Sequence, residues 1–199
     1  MKTKTNRSQI QKLAIGAIMT ALVVVLQLVG STIRLGPFSI SLVLIPIVIG
    51  AAMSGIGIGS WLGLVFGVVV LLSGDASAFL ALSVPGAIIT CIVKGVACGA
   101  AAGLVYKLLE KKNRYLAVIV AAIVCPIVNT GVFLLCSRIF FFEAIKEWGL
   151  SAGYENVVAY MFLGLVGGNF LVELASNIVL SPIVVRILNA VLKRKDTVE

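Results

Sequence analysis

Lys12-Leu-Ala-Ile-Gly-Ala17-Ile-Met-Thr-Ala21-Leu-Val-Val-Val-Leu-Gln-Leu-Val-Gly30 decides the fold. After Lys12 it carries no charge. An apolar run of about 20 residues is what a helix needs to cross roughly 30 Å of hydrocarbon at about 1.5 Å per residue. The basic segment ahead of it, Met1 to Arg7, also suits a secretory signal, but no A-x-A cleavage site closes the run. A retained first span is expected instead.

The rest of the chain repeats this pattern. Of 199 residues, 60% are hydrophobic and 12% charged, and the mean hydropathy is +1.15. A soluble domain of this length needs more polar surface to cover its core. In lipid the backbone must satisfy itself, which leaves helices or a closed barrel. The runs here are long and do not alternate with period two, so helices are expected.

The reading outward from span 1 gives an all-α integral membrane protein of six transmembrane helices in a single domain, 1–199. The expected spans are 12–30, 39–53, 59–73, 79–106, 115–141 and 157–188. Pro46 predicts a kink or tilt in the short second span. Gly55-Ile-Gly57-Ile-Gly59 joins spans 2 and 3 tightly, and Gly74-Asp75-Ala-Ser77 reads as a loop. An amphipathic connection, Phe142 to Asn156, precedes span 6. Most of the aromatic residues towards one side, Phe79, Phe140, Phe141, Trp148 and Phe162 among them, read as interfacial anchors, and some as a lid.

Basic residues orient the bundle. Lys2, Lys4, Arg7 and Lys12, then Lys107, Lys111, Lys112 and Arg114, then Arg186, Lys193, Arg194 and Lys195 fall on one side of six spans. That side is expected to be the cytoplasm, with both termini in it, in a bacterial plasma membrane. The net charge of +8 therefore reports topology, and no nucleic-acid partner is expected. The chain has no His, no P-loop and no nucleophile–base arrangement, so neither an enzyme nor a self-contained ATPase is expected. Cys91, Cys98, Cys125 and Cys136 form no CxxC pair and read as buried, reduced side chains. No metal or cofactor is expected.

Small residues recur every four positions: Ala17 and Ala21; Gly59, Gly63 and Gly67; Gly95, Gly99 and Gly103. Each set lies on one helix face and lets another helix approach closely. For spans 3 and 4 the expected use is internal packing.

Lys94 and Glu173 are ionisable groups deep in apolar runs, where a charge faces a partner or a cavity. Two readings stand, a structural Lys94–Glu173 pair or a site in which Lys94 meets an anionic ligand. Measured along their helices, Lys94, Asn129 and Asn169 lie roughly 18–20 Å below one end of the bundle. Three polar groups at one depth on three helices suit a small polar solute. Interhelical hydrogen bonding is the alternative for each Asn, and a structural role is expected for Asn177.

Four stretches carry a family resemblance. They are Ala14-Ile-Gly16-Ala17-Ile-Met-Thr-Ala21-Leu; Leu35-Gly-Pro-Phe-Ser-Ile-Ser-Leu-Val-Leu-Ile-Pro46; Pro126-Ile-Val-Asn129-Thr-Gly-Val-Phe133; and Gly168-Asn169-Phe-Leu-Val-Glu173-Leu-Ala-Ser-Asn177. Together they resemble an S-component, the substrate-capture subunit of energy-coupling factor (ECF) vitamin transporters. The resemblance implies that Ala17 and Ala21 dock on a shared transmembrane T-component and that two ATPase subunits supply energy. It also implies a pocket facing outside, capped by the first and third loops, and delivery to the cytoplasm by toppling of the loaded subunit. The expected substrate-binding residues are Lys94, Asn129, Asn169, Glu173 and Arg34. Lys94 and Arg34 favour an anion, such as pantothenate or a folate-like compound, ahead of riboflavin. The rival function is a self-sufficient ion-coupled secondary transporter with Glu173 as its coupling site.

Overall fold

A computed structural model describes residues 2–32, 34–35, 38–39 and 42–196, with the side chains of residues 10, 12–32 and 42–186. Helix α1 spans Lys2–Gly30. A two-residue antiparallel pair follows, β1 (Arg34–Leu35) with β2 (Phe38–Ser39), in which Arg34 faces Ser39. Then come α2 (Leu44–Ser54), α3 (Ile56–Leu72), α4 (Ser77–Leu82), α5 (Val84–Leu109), α6 (Arg114–Phe140) and α7 (Phe142–Ser151). The last stretch is a short α8 (Val157–Ala159), a π-helical turn (Tyr160–Leu165) and α9 (Gly167–Asp196).

Four segments are long and apolar enough to cross a bilayer: Lys12–Gly30, Val84–Leu109, Arg114–Phe140 and Gly167–Arg186. Helices α2 and α3 are apolar but shorter, with 11 and 17 residues. Large apolar side chains such as Leu13, Leu72, Leu135, Leu163 and Val179 point outward unpaired, as lipid requires and water would not favour.

Several expected spans are corrected. The run 79–106 is not one helix. Ser83 is extended and its hydroxyl accepts from the Gly86 amide at 3.3 Å, which caps α5 with Pro85 in its first turn. Proline fits there because the first amides of a helix have no intrahelical acceptor. The same logic removes the expected kink at Pro46, which lies in the first turn of α2. The run 157–188 is interrupted by the π turn, and a side chain at Gly167 would come within 2.8 Å of the Phe162 carbonyl oxygen. The second span starts at Leu44 because residues 38–39 belong to β2.

Helix α3 packs against α1, α2 and α5. Gly55, with φ +93°, makes the sharp turn from α2 that a side chain would strain. The two glycine stripes meet each other. A Cβ on Gly63 would strike the carbonyl oxygen of Gly95, and one on Gly59 would lie 2.5 Å from that of Gly99. A Cβ on Gly67 would strike the carbonyl oxygen of Cys91. So α3 and α5 run antiparallel with their backbones in contact, and the expected internal packing is what the stripes do. Gly86 packs on Phe140 and Phe141, which sets α5 antiparallel to α6. At one end of the bundle, called upper below, α1, α3 and α6 finish and α5 begins.

The core has two parts. The larger includes Val23, Leu44, Ile47, Leu62, Phe66, Cys98, Ala121 and Cys125. The smaller, at the upper end, includes Phe79, Phe133, Phe141, Ile145, Met161 and Leu165. Phe79 and Phe141, expected as anchors at the lipid interface, are buried there. Phe79 meets Phe133, Phe141 and Trp148 edge to face at 5.0–5.7 Å between centroids. Phe162 is exposed, as an interfacial anchor would be. All four cysteines are buried and unbridged.

Candidate solute pocket

A cavity lies at the seam of the two cores. Helix α5 contributes Thr90, Cys91 and Lys94, and α6 contributes Asn129, Thr130 and Phe133. Asn169 and Glu173 come from α9, Gln27 from α1, and Asp75 and Phe79 from the connection between α3 and α5. Counted as space open to water centres, its volume is about 60 Å³. That holds a few water molecules; vitamin-sized ligands occupy sites of roughly 300–1,000 Å³. A solute of that size therefore has to part the walls.

Four of the five residues singled out for binding, Lys94, Asn129, Asn169 and Glu173, line this one cavity. Arg34 lies in β1, and its side chain is outside the described residues. Lys94 is about 15 Å along α5 from Val84, and Asn129 about 16 Å along α6 from Phe140, at about 1.5 Å per residue. These two residues therefore lie at similar distances from the upper ends of their helices, while Asn169 lies near the start of α9, just after the π turn.

Each side chain is held by its helix. Lys94 precedes Gly95, whose backbone touches that of Gly63, so the root of the lysine is fixed by two helices. Its Nζ lies 5.3 Å from the Phe66 ring centroid and 5.5 Å from that of Phe133. Ring faces are attractive to an ammonium. Among the described residues Lys94 forms no ion pair, so the structural Lys94–Glu173 pair is not what this geometry contains. Asn129 is 5% exposed. It follows Pro126, which donates no hydrogen bond to the preceding turn of α6. Glu173 is 2% exposed. Its Oε1 accepts from Asn169 Nδ2 at 3.0 Å, and its carbonyl accepts from Asn177 Nδ2 at 2.8 Å. Asn177 does not line the cavity and ties one turn of α9 to the next, as expected.

Sequence reasoning passed over four polar groups of the lining. Gln27 Nε2 donates to Asp75 Oδ2 at 2.7 Å, and Ser73 Oγ donates to the same oxygen at 3.1 Å. These bonds fasten the top of α1 to the turn after α3. Thr90 Oγ1 donates to the Gly86 carbonyl at 2.7 Å, and Thr130 completes the wall. Gln27 was open to detection by the rule that selected Asn129, since both are amides inside apolar runs. The lining thus combines one ammonium with two carboxyl groups, three amides and two hydroxyls among the described residues.

Ala17 and Ala21 are elsewhere. Both are exposed on α1, beside exposed Ile18, Leu22 and Val25, while Gly16 on the other face packs on Ile58.

Apolar helices with bare outer faces around a small polar cavity define a multi-pass membrane protein. The family model for the substrate-specific component of ECF transporters matches residues 11–187, and the chain belongs to that family. It is a membrane transporter subunit of the substrate-specific kind. No curated protein and no solved structure matches the chain.

Proposed function

We propose that this subunit captures a water-soluble vitamin or related micronutrient from outside the cell and delivers it to the cytoplasm, with ATP hydrolysed by partner subunits. The observation that carries this reading is the polar cavity at the upper end of an apolar bundle, where Lys94, Asn129, Asn169 and Glu173 converge. In this reading α1, α2, α3, α5, α6 and α9 are six spans of one domain, and the basic clusters put both termini in the cytoplasm of a bacterial cell. The upper end then faces outside. Lys94 meets an acidic group of the solute, which keeps pantothenate and folate-like anions ahead of riboflavin. Gln27, Asp75 and Phe79 stand where solute would enter. The exposed Ala17–Ala21 face of α1 docks on the T-component, because two alanines one turn apart let another helix come close.

The test is mass spectrometry of ligand retained through purification, followed by binding of that compound to the purified subunit. If nothing co-purifies and riboflavin, folate and pantothenate all fail to bind, the reading fails. Uptake by vesicles that contain this chain and an ion gradient, but no partner subunits, would transfer the function to the ion-coupled alternative with Glu173 as the coupling site.

A further inference from the structure

We propose that the solute carries a hydrogen-bond donor, an N–H or O–H group, that docks on the side-chain oxygens of Asn129 and Asn169. This deepens the capture reading above and rests on it.

An amide side chain has an accepting oxygen and a donating nitrogen, and its neighbours decide which way each points. At Asn169 the hydrogen bond within α9 sets the choice. Its Nδ2 donates to Glu173 Oε1 at 3.0 Å, which leaves Oδ1 on the other side of the amide. Asn169 Oδ1 therefore points away from Glu173. It is buried and has no hydrogen-bond partner among the described residues. Asn129 Oδ1 is in the same state, on a side chain that is 5% exposed. Both residues line the cavity, from different helices.

Two unmet buried acceptors require donors. Among the described residues neither oxygen has a donor within hydrogen-bond distance, and two donors of the wall are bonded elsewhere, Gln27 Nε2 to Asp75 and Thr90 Oγ1 to Gly86. The Lys94 ammonium lies over Phe66 and Phe133 instead of on either oxygen. The donor therefore comes from what fills the cavity. Water can serve until a solute displaces it. A solute without N–H or O–H groups then strands both oxygens, and a site built to hydrogen-bond a ligand rejects analogues that cannot reciprocate. With Lys94 on the same lining, the solute class is two-sided: an acidic or strongly accepting group towards Lys94 and a hydrogen-bond donor towards α6 and α9.

The experiment uses the full chain in detergent and a panel of riboflavin, folate, pantothenate, thiamine, biotin, pyridoxamine, lipoate and nicotinate, read by ligand-induced thermal shift and calorimetry. Lipoate and nicotinate are anions with no N–H or O–H donor and are expected not to bind. The compound that binds is expected to lose about 3- to 10-fold in affinity in Asn169→Leu and in Asn129→Leu. Asn177→Leu, outside the lining, is expected to leave affinity unchanged. If Asn129→Leu does not fold, Asn169→Leu carries the test, since that side chain is only partly buried. Tight binding of lipoate or nicotinate overturns the proposal. So does stabilisation by sodium or potassium chloride relative to choline chloride, which would give the oxygens to a metal ion. A binder indifferent to both Asn substitutions overturns it and leaves the capture reading standing. No binding by any compound sinks the capture reading and the proposal together.

Discussion

Replacing Lys94 with Met separates binding from stability, because the two respond with opposite signs. Methionine keeps the length of the side chain and can lie against Phe66 and Phe133, where the ammonium now sits 5.3 and 5.5 Å from the ring centroids. What disappears is the charge. In the empty protein that charge has ring faces and, without an ion pair, the carboxyl groups of Asp75 and Glu173 on the same lining to offset its removal from water. Cation–π contacts return about 0.5–2 kcal/mol, while holding a cation within a membrane segment costs a few kcal/mol. Lys94→Met is therefore expected to leave the melting temperature of the empty protein unchanged or to raise it. With an anionic solute bound, a charge-assisted hydrogen bond is lost, worth about 1.5–3 kcal/mol, or roughly 10- to 150-fold in Kd. Calorimetry on the purified subunit with its co-purified ligand measures the second effect, and thermal unfolding without ligand measures the first. A variant that binds within about threefold of wild type refutes the assignment of Lys94 to the ligand. A variant that melts far lower when empty shows that the lysine is structural.

Other predictions follow from the packing. Gly63→Val should prevent α3 and α5 from closing, at a cost of at least about 1–3 kcal/mol, visible as loss of monodisperse protein in detergent; Gly57→Ala, with nothing within 4 Å, should be tolerated. Changing Ala17 and Ala21 to Leu should leave ligand affinity unaltered and weaken co-purification with the T-component, since both residues are exposed and neither lines the cavity. Among the four buried cysteines only Cys91 lines the cavity. Bound ligand should slow its labelling by a small maleimide at least severalfold and leave Cys98, Cys125 and Cys136 as they were; equal protection of all four would point to global tightening instead.

The features legible in the sequence were those that lipid makes rare. Lys94, Glu173, Asn129 and Asn169 stood out because polar groups are costly inside apolar runs, and all four line one cavity. The glycine stripes were legible for the same reason, since their period matches the helix. Thr90 was not, because a threonine can bond to its own helix, as Thr90 does to Gly86, and so costs little anywhere. Asp75 read as loop polarity, and only the fold brings it under Gln27. Helix breaks at Ser83 and at residues 160–166 were hidden because hydropathy averages over a cap or a π turn without registering either. Phe79 and Phe141 read as interfacial because aromatic composition is the same for an anchor and for a core residue; α7 is what covers them, through Ile145 and Trp148.

The contact between α3 and α5 has a consequence for assembly. When most helices meet, leucines and isoleucines give up rotamers at about 0.5–1 kcal/mol each. Across Gly59, Gly63 and Gly67 against Gly95 and Gly99 there are no rotamers to give up. In lipid, where apolar surface gains little by meeting apolar surface, the pair that loses least disorder has the advantage. These helices are also close in sequence, separated by α4 and its flanking turns. Their backbone contact makes a two-helix template that holds the root of Lys94 at the cavity wall.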